Sequence, residues 1–265
     1  MRHFTLLALI LCFGNIACVS ASEMDETQRI AKLIFHNECA SKESCLTAWN
    51  KGEEFASLGI GHFIWYPQGT AESDKQFSES FPALLVYLQS RGVNMPDWMR
   101  IADGNPWLNR AVFEKEQKTP KMNEIRQLLI KTMPLQAEFM KKRFDLALAR
   151  MLKTVPESVR SKLNRQYQRV AVAPMGMYAL MDYVNFKGEG TNPKERYQGQ
   201  GWGLLQVLDN MQAGEGVKAI HAFADSADRM LTRRVQLSPT LRNEKRWLPG
   251  WRKRLHTYIR QAELH

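Results

Sequence analysis

The chain contains no internal repeat, no low-complexity tract and no serine- or glycine-rich linker that would separate two domains. Its only long apolar run, residues 4–19, is too short to span a membrane as a helix. Histidine and cysteine never occur at the spacing of a known metal motif, and His36, His62 and Glu38 fit none well, so we expect neither a metal nor a cofactor. A hydrophobic share of 44% with seven tryptophans then predicts a globular chain.

The first 21 residues have the three parts of a secretory signal peptide. Arg2 gives a basic start, the apolar run follows, and Val19-Ser20-Ala21 supplies a small-x-small end. A lipoprotein signal acylated at Cys18 is the second interpretation, since Asn15 stands where such signals prefer leucine. We therefore expect residues 22–265 to be secreted or periplasmic and monomeric, with no integral membrane segment once the signal is removed.

Two cysteines, Cys39 and Cys45, remain in that expected mature chain. An even pair in an oxidising compartment predicts one disulfide, although two reduced and buried cysteines are the alternative. The loop that such a bond closes is short, so it adds little stability through chain entropy. We expect the bond to hold the backbone that follows Glu38.

Positive charge exceeds negative charge, with a formal net charge of +10. In an exported protein this favours an anionic partner such as peptidoglycan, lipopolysaccharide or anionic lipid, whereas nucleic acid does not fit the compartment. A basic surface that only keeps the protein soluble is the plainer explanation, so the charge does not decide the function by itself.

Helical periodicity predicts a mainly α fold with one small β region, at about residues 52–65. One long helix is predicted with an interruption or a kink at Pro134, where the ring removes a backbone hydrogen bond. The predicted helices cover about residues 25–38, 78–91, 120–155, 156–171, 174–187, 201–212, 215–232 and 249–263.

Three elements, in this order, resemble parts of the phage-type lysozymes, the endolysin-like family of the lysozyme-like superfamily. Ser57-Leu58-Gly59-Ile60-Gly61-His62 is similar to the family's Thr-Ile-Gly-x-Gly-His hairpin. Residues 179–190 are similar to its apolar helix with a Phe-x-x-Gly type turn, and residues 248–255 to the Gly-x-x-x-Arg-Arg element of its last helix. The resemblance covers about residues 25–66 and 174–260, which makes residues 67–173 a helical insertion.

This resemblance implies a lysozyme-like α+β fold and cleavage of the β-1,4 MurNAc-GlcNAc linkage of peptidoglycan, a glycosidase reaction. Glu38 takes the place of the catalytic glutamate that closes the family's first helix. A general acid must carry a proton, and the negative end of a helix dipole disfavours the carboxylate anion. A solvated acid at a helix end is the alternative for Glu38 taken alone.

The second carboxylate departs from the family pattern, because Lys51 stands where the family has aspartate and Ser57 where it has threonine. Glu54 is our preferred substitute and Glu53 the alternative, although a charged turn explains both equally well. Ser57 would hold a water or a sugar hydroxyl, or be only a turn residue. The chain is accordingly expected to be a hydrolase or a lytic transglycosylase, the latter needing Glu38 alone.

Glu189 is a rival acid, because it precedes Gly203-Leu204-Leu205-Gln206 as the catalytic glutamate precedes Gly-Leu-Met-Gln in soluble lytic transglycosylases. His62 is expected to be a structural hydrogen-bonding residue, as the hairpin histidine is in the phage-type layout.

Five further residues are candidates for binding the sugar chain. Trp65, Tyr66 and Tyr197 are aromatic groups that could stack on sugar rings, although aromatic residues at such spacings are more often core. Asn185 and Gln206 are polar residues in apolar helices and could bind acetamido groups.

Two other functions stay open. A catalytically degenerate peptidoglycan-binding protein of the same fold would also combine a basic, aromatic cleft with a misplaced second carboxylate. A chitosanase- or chitinase-like glycosidase would share the carboxylate chemistry and differ in its substrate.

Overall fold

The computed structural model describes residues 16–75, 77, 79–100, 104–193 and 195–265. Residues 1–15 of the predicted signal peptide lie outside the described residues, and residues 16–21 belong to the first helix, Ile16–Cys39. Among the described residues, no helix combines the length and the apolar character needed to cross a membrane.

The predicted fold class, mainly helical with a small β region, is confirmed. Five of the eight predicted helices, those over about residues 78–91, 156–171, 174–187, 201–212 and 249–263, begin and end within three residues of the observed positions, because their apolar stripes repeat with the helical period. The α-helices of the described residues are α1 (Ile16–Cys39), α2 (Phe81–Ser90), α3 (Asp97–Arg100), α4 (Arg110–Lys115), α5 (Pro120–Lys131), α6 (Met133–Lys153), α7 (Glu157–Ala171), α8 (Gly176–Lys187), α9 (Leu204–Asn210), α10 (Val217–Leu237) and α11 (Leu248–Glu263).

The helix predicted over residues 120–155 is two helices, α5 and α6, which meet at Thr132. Pro134 lies in the first turn of α6, where a missing backbone N–H breaks no helical hydrogen bond. Of the two alternatives predicted at Pro134, the structure therefore shows the interruption and not the kink.

The β region is a three-stranded antiparallel sheet in the order β1 (Thr47–Ala48), β2 (Ala56–Leu58) and β3 (Phe63–Trp65). Ser57 in the central strand pairs with Ala48 on one side and Ile64 on the other. The turn between β2 and β3 carries the Gly-x-Gly-His motif.

Helix α6 holds this turn in place through Gln136. The backbone N–H of Ile60 donates a hydrogen bond of 2.9 Å to Gln136 Oε1, and Gln136 is fully buried. Gly59 has a φ of +72°, and a Cβ there would lie 2.4 Å from the same oxygen. The contact with α6 is thus a physical reason for glycine in the turn.

One continuous hydrophobic core runs through the described parts of residues 25–66, 67–173 and 174–260. Trp65 of β3, for example, lies with its ring centroid 4.8 Å from Phe81 of α2 and 6.3 Å from Trp107. Helix α6 also packs against α1. Residues 67–173 therefore share the core of the rest of the chain and do not form a module beside it.

Candidate functional site

Glu38 lies in the last turn of α1, and its side chain is 13% exposed. The chain turns sharply after it, since Ala40 and Ser41 both have positive φ. The sulfur atoms of Cys39 and Cys45 lie at disulfide distance across this turn, the pairing expected from the sequence. The carboxyl group is therefore fixed at a helix end, next to the hairpin turn.

Three described side chains lie within 4 Å of the Glu38 carboxylate. Arg254 Nη2 donates a hydrogen bond of 2.5 Å to Oε1, and Asn185 Nδ2 donates one of 3.1 Å to the same oxygen. His62 Nδ1 lies 3.5 Å from Oε2, the other oxygen. One oxygen of Glu38 is thus held by two donors, and the second faces the Gly-x-Gly-His turn.

Arg254 is shared with a second carboxylate, that of Asp182. It donates two hydrogen bonds to Asp182, of 2.7 and 2.8 Å, and Tyr258 donates a third of 2.5 Å. Asp182 has no solvent exposure. Burial alone would lower the pKa of Arg254, but the two carboxylates, Asp182 above all, hold it well above its usual range.

The spacing of these residues on their helices explains why they meet. Arg254 and Tyr258 are four residues apart on α11 and so share one face. On α8, Tyr178, Asp182 and Asn185 follow one another at intervals of four and three residues and line another face. The faces are joined at Tyr178, whose hydroxyl lies 2.9 Å from Thr257 Oγ1 of α11.

Helix α1 is tied to the same network one residue before Glu38. Asn37 Nδ2 donates a hydrogen bond of 2.6 Å to the Tyr178 hydroxyl and one of 3.4 Å to Thr257. Burial raises the pKa of the Tyr178 hydroxyl, with a smaller contribution from the charge of Asp182. Tyr178 therefore joins α1, α8 and α11 as a neutral group.

Two cavities lie on either side of the C-terminal part of α8, and Val184 and Asn185 line both. The first has a volume of about 240 Å³ and is also lined by His62, Arg143, Arg150 and Glu189. Glu38 does not line it directly, but His62 and Asn185, which contact its carboxylate, do. A ligand in this cavity would contact the residues that hold the acid.

The wall formed by α6 gives the first cavity a basic character. Arg150 pairs with Glu189 at 2.8 Å, whereas Arg143 makes no ion pair with any residue that the structure describes. Arg143 is exposed to solvent, so an anionic group of a ligand can reach it.

The second cavity, of about 570 Å³, is basic and aromatic, and is lined by Lys187, Tyr197, Trp202, Arg234 and Arg242. The Lys187 ammonium lies 3.7 Å from the ring centroid of Trp251 and 3.9 Å from that of Phe186. Burial, followed by the charges of Arg234 and Arg254, lowers the pKa of Lys187 to about 6.

Three of the residues predicted from the hairpin region do not contact Glu38. Glu53 accepts a hydrogen bond from Asn50 within its own turn, and Glu54 is exposed. Ser57 is buried, with 4% exposure, in the middle strand of the sheet. Among the described residues, none donates a hydrogen bond to the Glu54 carboxylate.

The aromatic candidates divide by their burial. Trp65 and Tyr66 are each 1% exposed, and Tyr66 accepts a hydrogen bond from the backbone of Phe77, so both belong to the core. Core placement was the alternative considered for them. Tyr197 is half-buried, lines the second cavity and donates a hydrogen bond of 2.7 Å to Glu244.

The remaining polar candidates also lie in different surroundings. Asn185 contacts Glu38 directly, and Glu189 lines the first cavity beside it. Gln206 holds a loop, since its Oε1 accepts from Gly203 and its Nε2 donates to the Gly190 carbonyl, both at 3.0 Å.

Sequence reasoning gave no role to Arg254, Asp182 or Lys187. A signal for Asp182 was present, because it is a lone acid inside the apolar helical segment of residues 179–184. A buried acid of this kind needs a cation, and the basic residues of α11 were the natural place to look for one. Comparison of the chain with protein-family models, with curated proteins and with solved structures gives no match.

Proposed function

We propose that this chain is an exported, lysozyme-like glycosidase that cleaves the β-1,4 MurNAc-GlcNAc linkage of peptidoglycan, with Glu38 as the general acid. The observation that carries the proposal is the position of the Glu38 carboxyl. It lies at the end of a helix, faces the Gly-x-Gly-His turn, and is held by residues that line a basic cavity. A glycosidase needs one carboxyl group fixed beside the bond that breaks.

In the proposed reaction the two oxygens of Glu38 have different tasks. Arg254 and Asn185 bind Oε1 and so fix the plane of the carboxyl group. Oε2 lies 3.5 Å from His62 Nδ1 and is the oxygen that carries the proton to the glycosidic oxygen. Fixing the donor in advance lowers the entropic cost of reaching the transition state.

Arg254 does not prevent this role, because its charge is already balanced. Asp182 is fully buried, receives two of the hydrogen bonds of Arg254, and forms a neutral pair with it. Glu38 is the additional carboxyl beside that pair, and it is the more exposed of the two acids.

The positions of the other acids favour lytic transglycosylation over hydrolysis. Glu54 is exposed and Glu53 bonds to its own turn, so neither is held opposite Glu38 by a described contact. In transglycosylation the 6-hydroxyl of the sugar attacks, and Glu38 alone first donates and then removes a proton. If hydrolysis occurs instead, Glu189 is the acid that shares the cavity wall with His62 and Asn185.

A peptidoglycan substrate agrees with the charge of the cavity walls. Its peptide stems carry carboxylates, and Arg143 is an exposed cation without an ion-pair partner among the described residues. A carboxylate of the substrate can therefore pair with it. Uncharged chitin or cationic chitosan would gain no binding free energy from the arginines of this wall.

The second candidate function is peptidoglycan binding without cleavage. It is favoured by the short contact of 2.5 Å between Arg254 and Glu38, which suits a carboxylate held permanently as a structural ion. Both functions use the same cavities, so binding measurements cannot separate them.

Incubation with purified peptidoglycan and mass spectrometry of the soluble products separates them. We expect anhydro-ended fragments from the wild type and a loss of about 10²–10⁴-fold in rate for Glu38→Gln. Glu43→Gln, at an exposed acid in the short helical turn after α1, is the matched control. Reducing-end fragments would mean hydrolysis and direct the next substitutions to Glu189 and Glu54.

Fragments released equally by the wild type and Glu38→Gln would refute Glu38 as the acid. A wild-type protein that binds peptidoglycan in a pull-down but releases no fragments would instead support the binding function. Cleavage of chitosan or chitin in place of peptidoglycan would leave the acid in place and change the substrate.

A further inference from the structure

We propose that Cys39, Cys45 and His62 form a binding site for one thiophilic divalent cation, such as Zn²⁺, when the two cysteines are reduced. Their ligand atoms lie within 4.8 Å of one another. Sequence spacing does not reveal this site, because Cys39 and Cys45 are six residues apart and His62 follows seventeen residues later. The hairpin turn brings the histidine back onto the end of α1.

The distances from the histidine are those that a tetrahedral ion requires. Zinc–sulfur bonds of about 2.3 Å and zinc–nitrogen bonds of about 2.0 Å place sulfur and nitrogen about 3.6 Å apart. His62 Nε2 lies 3.5 Å from Cys45 Sγ and 3.8 Å from Cys39 Sγ. Only the two sulfur atoms have to separate, to about 3.8 Å, when the bond between them is reduced.

Glu38 supplies the outer partner that such a histidine usually has. A ligand histidine commonly donates its other ring N–H to a carboxylate, which fixes the tautomer. A cation on Nε2 leaves the proton on Nδ1, and Nδ1 faces Glu38 Oε2 at 3.5 Å. The His62 side chain is 27% exposed, so water can reach the fourth position.

The charges balance when the ion binds. A reductant supplies two electrons and two protons to the Cys39–Cys45 bond; with a phosphine, water adds its oxygen to phosphorus and two thiols result. The divalent cation then displaces one proton from each thiol, giving a neutral set of one cation and two thiolates beside neutral His62. Two protons are released for each ion bound.

Ion binding would also use the Glu38 oxygen that the proposed glycosidase needs for proton transfer. Binding of the cation and proton donation by Glu38 therefore exclude each other. This consequence rests on the proposed function, whereas the binding itself does not.

The test is titration with Co²⁺ of protein reduced by a phosphine and desalted without oxygen. We expect one Co²⁺ per chain, near-ultraviolet absorption from thiolate-to-cobalt charge transfer, and no binding before reduction. Replacing His62 by alanine should weaken binding by at least about 100-fold and Glu38→Ala by about 10–100-fold. His36→Ala is the matched control, since His36 contacts Ser41 on the same helix end and lies outside the cluster.

Three results would overturn the proposal. The first is no charge-transfer absorption after reduction. The second is equal affinity in His62→Ala and His36→Ala, which would mean binding by the thiols alone. The third is a reduced chain that loses its helical circular dichroism and does not regain it with Co²⁺. Peptidoglycan cleavage is not measured, so failure here leaves the proposed function untouched.

Discussion

Two carboxylates in the described part of the protein are completely buried, and they are held in nearly the same way. Asp182 receives two hydrogen bonds from Arg254 and one from the Tyr258 hydroxyl. Glu244 receives one bond on each oxygen from Arg234 and another from the Tyr197 hydroxyl. Each cluster satisfies a buried charge with an arginine and a tyrosine.

The clusters differ in the sign of the charge that is left over. The Asp182 cluster contains a further acid, Glu38, whereas the Glu244 cluster contains a further cation, Arg242 at 3.1 Å. In each cluster the balanced pair stabilises the fold, and the additional group remains for function: an acid beside one cavity and cations around the other.

Removing a buried acid should have the largest effect on stability. Asp182→Asn leaves Arg254 buried with only Glu38 to balance it, and we expect a loss of about 3–5 kcal/mol in the free energy of unfolding. Glu38→Gln keeps the balanced pair and should cost less than about 1 kcal/mol. Urea denaturation of both variants measures the difference, and equal losses would contradict the division into balanced and additional groups.

Glu244→Gln extends this test to the other cluster and should lower the free energy of unfolding by a similar amount, about 3–5 kcal/mol. Burial alone would raise the pKa of Glu244, but Arg234, Tyr197 and Arg242 outweigh it and leave the pKa below its ordinary value. The stability from this group is therefore complete above the unfolded pKa, near 4.5, and is lost as the pH falls through the folded value. Acid titration of unfolding should show a smaller decrease below pH 4.5 in Glu244→Gln.

Lys187 should make stability depend on pH between about 6 and 10.5, whereas Glu244 acts in the acidic range. Its folded pKa of about 6 lies below its ordinary 10.5, so between these values the unfolded chain binds a proton that the folded chain does not. Stability should rise with pH across this window, by at most about 1.4 kcal/mol per pH unit. Arg234 and Arg254 favour the neutral amine, and Glu244 and Glu38 oppose them.

Melting temperatures of wild type and Lys187→Met at pH 6 and pH 9 measure this effect. The variant should have the higher melting temperature at pH 6, and the difference in melting temperature between the two proteins should be smaller at pH 9. Lys253→Met, at an exposed position of α11, is the matched control. A gap that does not change with pH would mean that Lys187 keeps its proton in the folded state.

Arg143→Met tests the basic wall of the first cavity. We expect the KM for peptidoglycan to rise about tenfold with kcat little changed, the loss of one hydrogen bond to a charged group. Arg165→Met, at an exposed position of α7, is the control. A change in kcat alone would place Arg143 in the reaction step instead of substrate binding.

Glu54→Gln should have the smallest effect, within about twofold in rate and about 0.5 kcal/mol in stability, because it is an exposed acid without a described contact. A loss comparable to that of Glu38→Gln would show that substrate binding moves the turn before β2 towards the cleft. It would also favour hydrolysis, since two carboxylates would then be required.

Local patterns were sufficient for the helices but not for the contacts between them. The apolar stripes of α7, α8 and α11 gave positions close to those observed, since a helix that buries one face repeats with the helical period. Trp65 and Tyr66 show the limit of this reasoning. Period-two alternation places neighbouring residues on opposite faces, but here α2 covers one side and a loop the other, so both are buried.

The site was predictable in one part and hidden in another. Glu38 and Asn185 were chosen from the sequence because they end or interrupt apolar helices, and the structure joins them. The pairing of Arg254 with Asp182 depends on how α8 and α11 cross, and nothing within either helix determines that angle. Sequence reasoning preferred Glu54 because it directly precedes the hairpin, with a charged turn as the equal alternative, and the structure shows it exposed.

The contact between Glu38 and Arg254 joins residues 216 positions apart. During synthesis, Glu38 leaves the ribosome long before its partner exists, and the hairpin turn must likewise wait for Gln136, 76 residues after Ile60. Contacts of such long range form late and slow the folding of a chain. If the proposed function is correct, this order of assembly would keep the catalytic site incomplete until the last helix, α11, has been made.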